Sequence, residues 1–355
     1  MNYFVDILSK YDEEDLIKFL VYNKFMENSN SSRESIIVSV LNFQNNTENF
    51  GLRKGVLLRD KSKNIVGFLG ILPLKMMYKE NEYIFAQTSS AFIHKDFRGT
   101  FNKLLIEFDK INSGFNKLTI YPIPTINKKF LSRGYKALNN TDIQYEYHLI
   151  FNFYSFFLNK STLFKNIIMK YLMNILEKFF IRIIQKSNVL FLKNLNYDYS
   201  LLEKNYYEMN SNFCVSVWNQ EMLSLKYGNK LGNIDKIREN EVLHYAIFDE
   251  HNKVTASLFL KKIRNVNKVI ISDFKILNND KKLITDLISQ AIFDLKKTRI
   301  NSIIFYGLRR EIQNAIKTKF FTLKKKKNLN VFVKIENDLL LENIKIDYCD
   351  DDMNY

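Results

Sequence analysis

One order of elements runs through this chain twice, and it limits the fold more than any single motif does. "GVLLRD", "IVGFLGILPLKMMY" and "EYIFAQTSSAFIH" are short apolar runs separated by the polar turns "KSKN" and "KENE", the pattern of antiparallel strands joined by hairpins. A helix follows, "FNKLLIEFDKIN", with Phe101, Leu104, Leu105, Phe108 and Ile111 on one apolar face. Then come the strand "KLTIYP", a short helix "TINKKFLSRG" closed by Gly134, and the strand "YEYHLIFNF". Further on, "EVLHYAIFDE", "KVTASLFLKK" and "KVIISDFKIL" read as strands, followed by the helix "DKKLITDLISQAIFDLKK", the strand "INSIIFYGL" and the helix "REIQNAIKTKF". A final strand pair, "FTLKKK" and "LNVFVKIE", closes this second series. The repetition predicts a duplicated α/β protein (α+β, mixed sheet), with helices on both faces of each sheet.

Before the first series, residues 2–9 read as a strand, and "DEEDLIKFLVYNKF" and "NSSRESIIVSVLNF" as helices with acidic or Ser/Asn starts. Between the halves, residues 160–186 carry apolar pairs every four residues with Lys165, Lys170, Lys178 and Arg182 between them. That is a basic amphipathic helix or helix pair, which either packs between two domains or lies on an anionic membrane surface. The expected division is a first domain over 1–152, a helical bridge over 153–195, a second domain over 196–340 and an acidic tail over 341–355.

With 46% hydrophobic and 14% aromatic residues, the 355-residue chain can bury a core of ordinary size, which excludes extensive disorder. Cys214 and Cys349 are too few and too far apart for a disulfide framework or a zinc site. No metal is expected, and the four histidines assemble no nucleophilic triad with a serine or cysteine. The N-terminus does not read as a secretory signal, and no run of eighteen apolar residues occurs, so a cytoplasmic protein is expected. A net charge of +15 either attracts polyanions or reflects general lysine use; alone it selects no partner.

The stretch "FIHKDFRGTFNKLL", Phe92 to Leu105, passes from a strand to a helix start through an Arg-Gly pair. The first N–H groups of a helix have no intrahelical acceptors and carry partial positive charge, so an anion is favoured there. Gly99 permits close backbone approach and Arg98 adds a positive fork, which makes residues 98–103 a candidate pyrophosphate cradle.

In context, "IHKDFRG", an apolar helix, "LTIYP" and a short helix ending "SRGYKAL" resemble the GCN5-related N-acetyltransferase superfamily. The match is specific over Ile93 to Leu105 and Tyr121 to Leu138. "PIPT" stands where many members have "PNPxS", and Gly134–Tyr135 fits a terminal "GF". Together with "NQEMLSLKYGN" and the bridge, the arrangement resembles the tandem-domain members encoded with surface-polysaccharide enzymes. It resembles more distantly the aminoacyl-tRNA-dependent transferases of peptidoglycan cross-bridges.

The resemblance implies an N-acyltransferase moving an acetyl group from acetyl-coenzyme A to a primary amine, an amino sugar of a surface glycan precursor being one acceptor. Arg98, Gly99, Thr100, Phe101, Asn102 and Lys103 would hold the pyrophosphate, and the backbone of Ala91, Phe92 and Ile93 the pantetheine arm and the developing oxyanion. Phe101 and Lys103 stand where the family has small residues, and Phe130 where it often has a thiolate-protonating tyrosine. The alternatives are a tRNA-dependent transferase, the one reading in which nucleic acid binds, and an inert domain pair that binds a partner or a membrane through 160–186.

Tyr121, at the end of the central strand, is the candidate catalytic acid. Glu80 and Glu82 are hairpin acids able to meet an amine or simply solvated, and His94 sits beside the loop. Asp273 is an acid inside an apolar strand, an amine anchor or a satisfied buried carboxylate. Lys324 to Lys327 form a charge run, read as a solvated turn or a phosphate contact.

Overall fold

The computed structural model describes residues 3–23, 50–120, 124–138, 145–158, 167–181, 188–228, 230–238, 241–263, 266–306, 308, 310–326, 331–335 and 343–344. The helix expected in "NSSRESIIVSVLNF" lies outside them.

In the first sheet β1 (Tyr3–Ile7), β2 (Gly55–Asp60), β3 (Ile65–Tyr78) and β4 (Asn81–Ile93) form an antiparallel meander. The long β3–β4 hairpin turns through Lys79 and Glu80, both at positive φ (46° and 66°), the geometry of a tight two-residue turn. Alternation along β2 sends Val56 and Leu58 to one face and Leu57 to the other. Leu57 meets Leu16, Phe19 and Leu20 of α1 (Glu13–Tyr22), whereas Val56 and Leu58 meet Leu104, Leu105 and Phe108 of α2 (Phe101–Ile111). Helix α2 leads to β5 (Asn116–Ile120), which pairs parallel with β4; α3 (Asn127–Leu131) and β6 (Lys136–Leu138) follow.

The second sheet repeats this order. β10 (Val242–Phe248), β11 (Val254–Lys262) and β12 (Lys268–Ile276) are antiparallel, and α8 (Lys281–Leu295) leads to β13 (Ser302–Phe305), parallel to β12. α8 and α9 (Arg310–Lys319) cover one face; α6 (Ser200–Met209) and α7 (Gln220–Tyr227) cover the other. Strands buried on both faces read as continuous apolar runs, which is why "VLHYAIF" and "KVIISDF" show no clean alternation. β8 (Leu190–Leu192) lies at this sheet's edge, and β9 (Val215–Ser216) crosses to pair with Met76 and Met77 of β3.

The expected final strand pair is not a pair. β14 (Thr322–Lys326) is the edge of the second sheet, paired with β7 (Tyr145–Ile150), while β15 (Val331–Lys334) inserts between β5 and β6 of the first. β7 in turn sits between β13 and β14. The physical reason is in the side chains: Val331, Phe332 and Val333 are apolar at successive positions and fit an interior strand, whereas the exposed Lys324, Lys325 and Lys326 fit an edge. The boundary expected at residue 152 thus counts β7 with the first half, although its partners are in the second; β15 crosses the other way.

The sheets meet through one apolar cluster in which Leu74, Met76, Phe85, Leu118, Ile120 and Val333 face Ile270, Ile304 and Tyr306. Of the segment expected as a bridge, α4 (Phe153–Leu158) packs Phe153 and Phe156 on Ile150, Phe321 and Leu323. Within 160–186, α5 (Ile167–Ile181) is described, and its Ile168, Tyr171, Leu172, Ile175 and Leu176 are exposed instead of lying sandwiched between the sheets.

Candidate functional site

The two parallel pairings are short. β4 and β5 are in register only over Phe85↔Asn116, Ala86↔Lys117 and Gln87↔Leu118, and β12 and β13 only over Lys268↔Ser302, Val269↔Ile303 and Ile270↔Ile304. Beyond Gln87, the hydroxyls of Thr88 and Thr119 still meet at 2.8 Å. From Ser89 to Ile93 the β5-facing side of β4 then has no strand partner among the described residues. On the β3 side, Gly70 pairs with Ser89 and Phe68 with Phe92, so Leu69 alone faces Ser90 and Ala91. This is a β-bulge, which re-aims the backbone at the mouth of the splay. Ala91 is exposed there, and Phe92 and Ile93 are half-buried.

Strand β4 ends where the His94 N–H donates to Val66 O (2.8 Å). His94 Nδ1 accepts the Asp96 N–H (3.4 Å), and a 3-10 turn over Lys95–Thr100 carries the chain into α2. The Phe97 N–H is turned back onto His94 O (2.9 Å), and the Thr100 hydroxyl donates to Phe97 O (2.6 Å). The start of α2 therefore has no side-chain cap, and no acid stands in its first turn. Phe101 is buried in the core, on the apolar face of α2 where its spacing puts it; Asn102 and Lys103 are exposed, as are Arg98 and Gly99. A Cβ on Gly99 would meet no atom within 4 Å. Lys129 of α3 lies with its ammonium 5.7 Å from the Phe101 ring centre. It adds positive charge that no local motif announced, because 28 residues separate the two.

Tyr121 lies outside the described residues, directly after buried Ile120. Phe130 is buried in the core, stacked on Phe332 and edge-on to Tyr135. Glu82 pairs with Lys75 (3.6 Å), and Glu80 occupies the exposed hairpin turn. Among the described residues, no group of three or more His, Cys, Asp or Glu is placed to hold a metal ion.

The second half repeats the splay and the bulge: Phe259 pairs with Asp273 and Leu260 with Ile271, leaving Ser272 as the extra residue. Its helix differs. Asp280 caps α8 with its own carboxylate, accepting the Lys282 N–H at 2.7 Å, so negative charge already occupies the helix start. Asp273 is buried, accepts Trp218 Nε1–H at 2.9 Å and faces the Lys275 ammonium at 3.6 Å.

On β10, one strand beyond β11, His244 is fully buried, stacked on Phe259 (centroids 4.1 Å) and 3.0 Å from Ser257 Oγ. Burial pushes its pKa down to about 3. The unfolded chain takes up this proton below about pH 6.5, the folded chain only near the lowered value, so stability falls as pH drops from 6.5. At pH 5 the loss from this group is about 2 kcal/mol. Urea titrations of wild type and His244→Phe at pH 7.5 and 5 check this: the variant should lose less stability between the two.

No family model and no curated protein sequence matches the chain. Solved structures do. A protein of Enterococcus faecalis described as a probable N-acyltransferase superposes with a TM-score of 0.55 at 10% identity, over 97% of this chain and 75% of that one. Saccharomyces cerevisiae N-myristoyltransferase with bound myristoyl-CoA and inhibitors gives 0.59 at 12% identity, over 93% and 80%. A GCN5-related N-acetyltransferase from Anabaena variabilis gives 0.54 at 11%, over 95% and 74%. At such identities the likeness is one of architecture, and the chain has the mixed α/β fold of the GCN5-related N-acetyltransferases, in two sheets.

Proposed function

We propose that the chain is an acyl-coenzyme A-dependent N-acyltransferase with its donor site in the first half. The observation that carries this reading is the splay of β4 from β5 after Gln87, which leads into a helix start with no side-chain cap and open space at Gly99. A pyrophosphate suits the first-turn N–H groups of α2 beside Arg98, Lys103 and Lys129. An extended pantetheine arm suits the side of β4 at Ala91, Phe92 and Ile93 that faces away from β3, beyond the last pairing with β5. The first half is favoured over the second because Asp280 already places a carboxylate at the start of α8.

In the reaction, a primary amine attacks the thioester carbonyl and a backbone N–H of the bulged strand stabilises the oxygen as it gains charge. The amine proton leaves to water or a base, and Tyr121, the residue that follows β5 in sequence, returns a proton to the departing thiolate. Fixing the two reactants in the splay supplies much of the rate. The donor is acetyl-coenzyme A, and the acceptor is a small amine such as an amino sugar of a surface glycan precursor.

Calorimetry with acetyl-coenzyme A tests the reading. Saturable one-to-one binding, competed by free coenzyme A, is expected; absence of binding up to millimolar concentration would overturn it.

A further inference from the structure

We propose that the outward face of α5 rests on an anionic membrane surface. Ile168, Tyr171, Leu172, Ile175 and Leu176 are 41% to 68% exposed. Their three- and four-residue spacing makes one apolar stripe along the helix. Packing fixes which side points out: Met173 joins Phe153, Phe156 and Phe321, and Glu177 Oε1 accepts the Tyr154 N–H at 3.4 Å. A contiguous exposed apolar stripe on a helix marks an interaction surface.

Charge decides what covers it. Residues 160–186 hold six Lys or Arg against the single acid Glu177, and Lys170 is exposed beside the stripe. α4, on which α5 packs, rests on Phe321 and Leu323 at the start of β14, and that strand runs on into exposed Lys324, Lys325 and Lys326. Lys317 lies within electrostatic reach of Lys324 and Arg310. A second copy of a chain carrying +15 would bring like charge against this border. A bilayer of phosphate-bearing lipids matches both parts, acyl chains under the stripe and headgroups against the lysines. No described helix is long and apolar enough to cross a membrane, so α5 would lie in the interface plane.

Co-sedimentation of the full chain with vesicles tests this. Binding is expected to vesicles containing phosphatidylglycerol and not to pure phosphatidylcholine. Leu172→Asp with Ile175→Asp should weaken it by at least about tenfold, and each of Lys324, Lys325 and Lys326 replaced by Ser by about fivefold. A Tyr171→Trp variant reads the contact without disrupting the stripe: its emission should shift to the blue with anionic vesicles, against the one native tryptophan, buried Trp218. Three results would overturn the proposal: no sedimentation with anionic vesicles, no shift from Tyr171→Trp, or a homodimer in solution that the paired aspartates dissociate.

Discussion

Phe332→Ala is expected to cost about 3–5 kcal/mol of stability, the range for emptying a buried phenylalanine site, and to loosen the proposed donor site more than two hundred residues earlier in the chain. Phe332 is buried with Leu104, Phe108 and Phe130, and stacks on Phe130 with centroids 5.6 Å apart. Its strand supplies the hydrogen-bonded partner on the far side of β5, pairing Val331 with Ile120 and Phe332 with Thr119. Without that partner β5 would lose one wall, and the Thr88–Thr119 contact at the base of the splay would lose its support. Urea unfolding measures the stability, and hydrogen exchange on residues 116–120 the local effect. The reciprocal position of β7 in the second sheet sharpens the expectation: unfolding should be a single transition, because each sheet needs a strand from the other half. A loss below about 1 kcal/mol, or two resolved transitions in wild type, would contradict this account.

What the sequence disclosed follows from what is local. Hairpin turns, the apolar face of α2 and the alternation of β2 are written within a few residues of one another, and so the element order of both halves was legible. The exchange of β7 and β15 was not. "FTLKKK" and "LNVFVKIE" are neighbours in sequence and read as a hairpin, and only their burial, charged edge against apolar interior, separates them. The same limit applies at the site. The Arg98–Gly99 pair was visible as a loop and Phe101 as the first residue of an apolar helix face, because both are written in local spacing; what lies across from them is not. Lys129 and the Thr88–Thr119 pair are products of the fold alone.

Gly99→Glu should weaken acetyl-coenzyme A binding by about a hundredfold or more while leaving the fold intact, and Gly99→Ala should leave affinity nearly unchanged. Both variants are tolerated structurally: Gly99 is not at positive φ, and a Cβ there meets no atom within 4 Å. The two differ only in what they place over the start of α2. A methyl group adds no charge there. A carboxylate caps the N–H groups and stands against the pyrophosphate; like charges about 4 Å apart interact by roughly 4 kcal/mol at a partly screened site, of which solvent at this exposed loop removes a share. The second half already carries that arrangement in Asp280, 2.7 Å from the Lys282 N–H, so the substitution would convert the first helix start into the electrostatic equivalent of the second. Calorimetry with both variants, with circular dichroism as the check on folding, separates the outcomes. Equal affinity for Glu and Ala at position 99 would move the phosphate site away from α2, whereas loss with Ala as well would mean that the loop backbone approaches its ligand more closely than the open space at Gly99 implies.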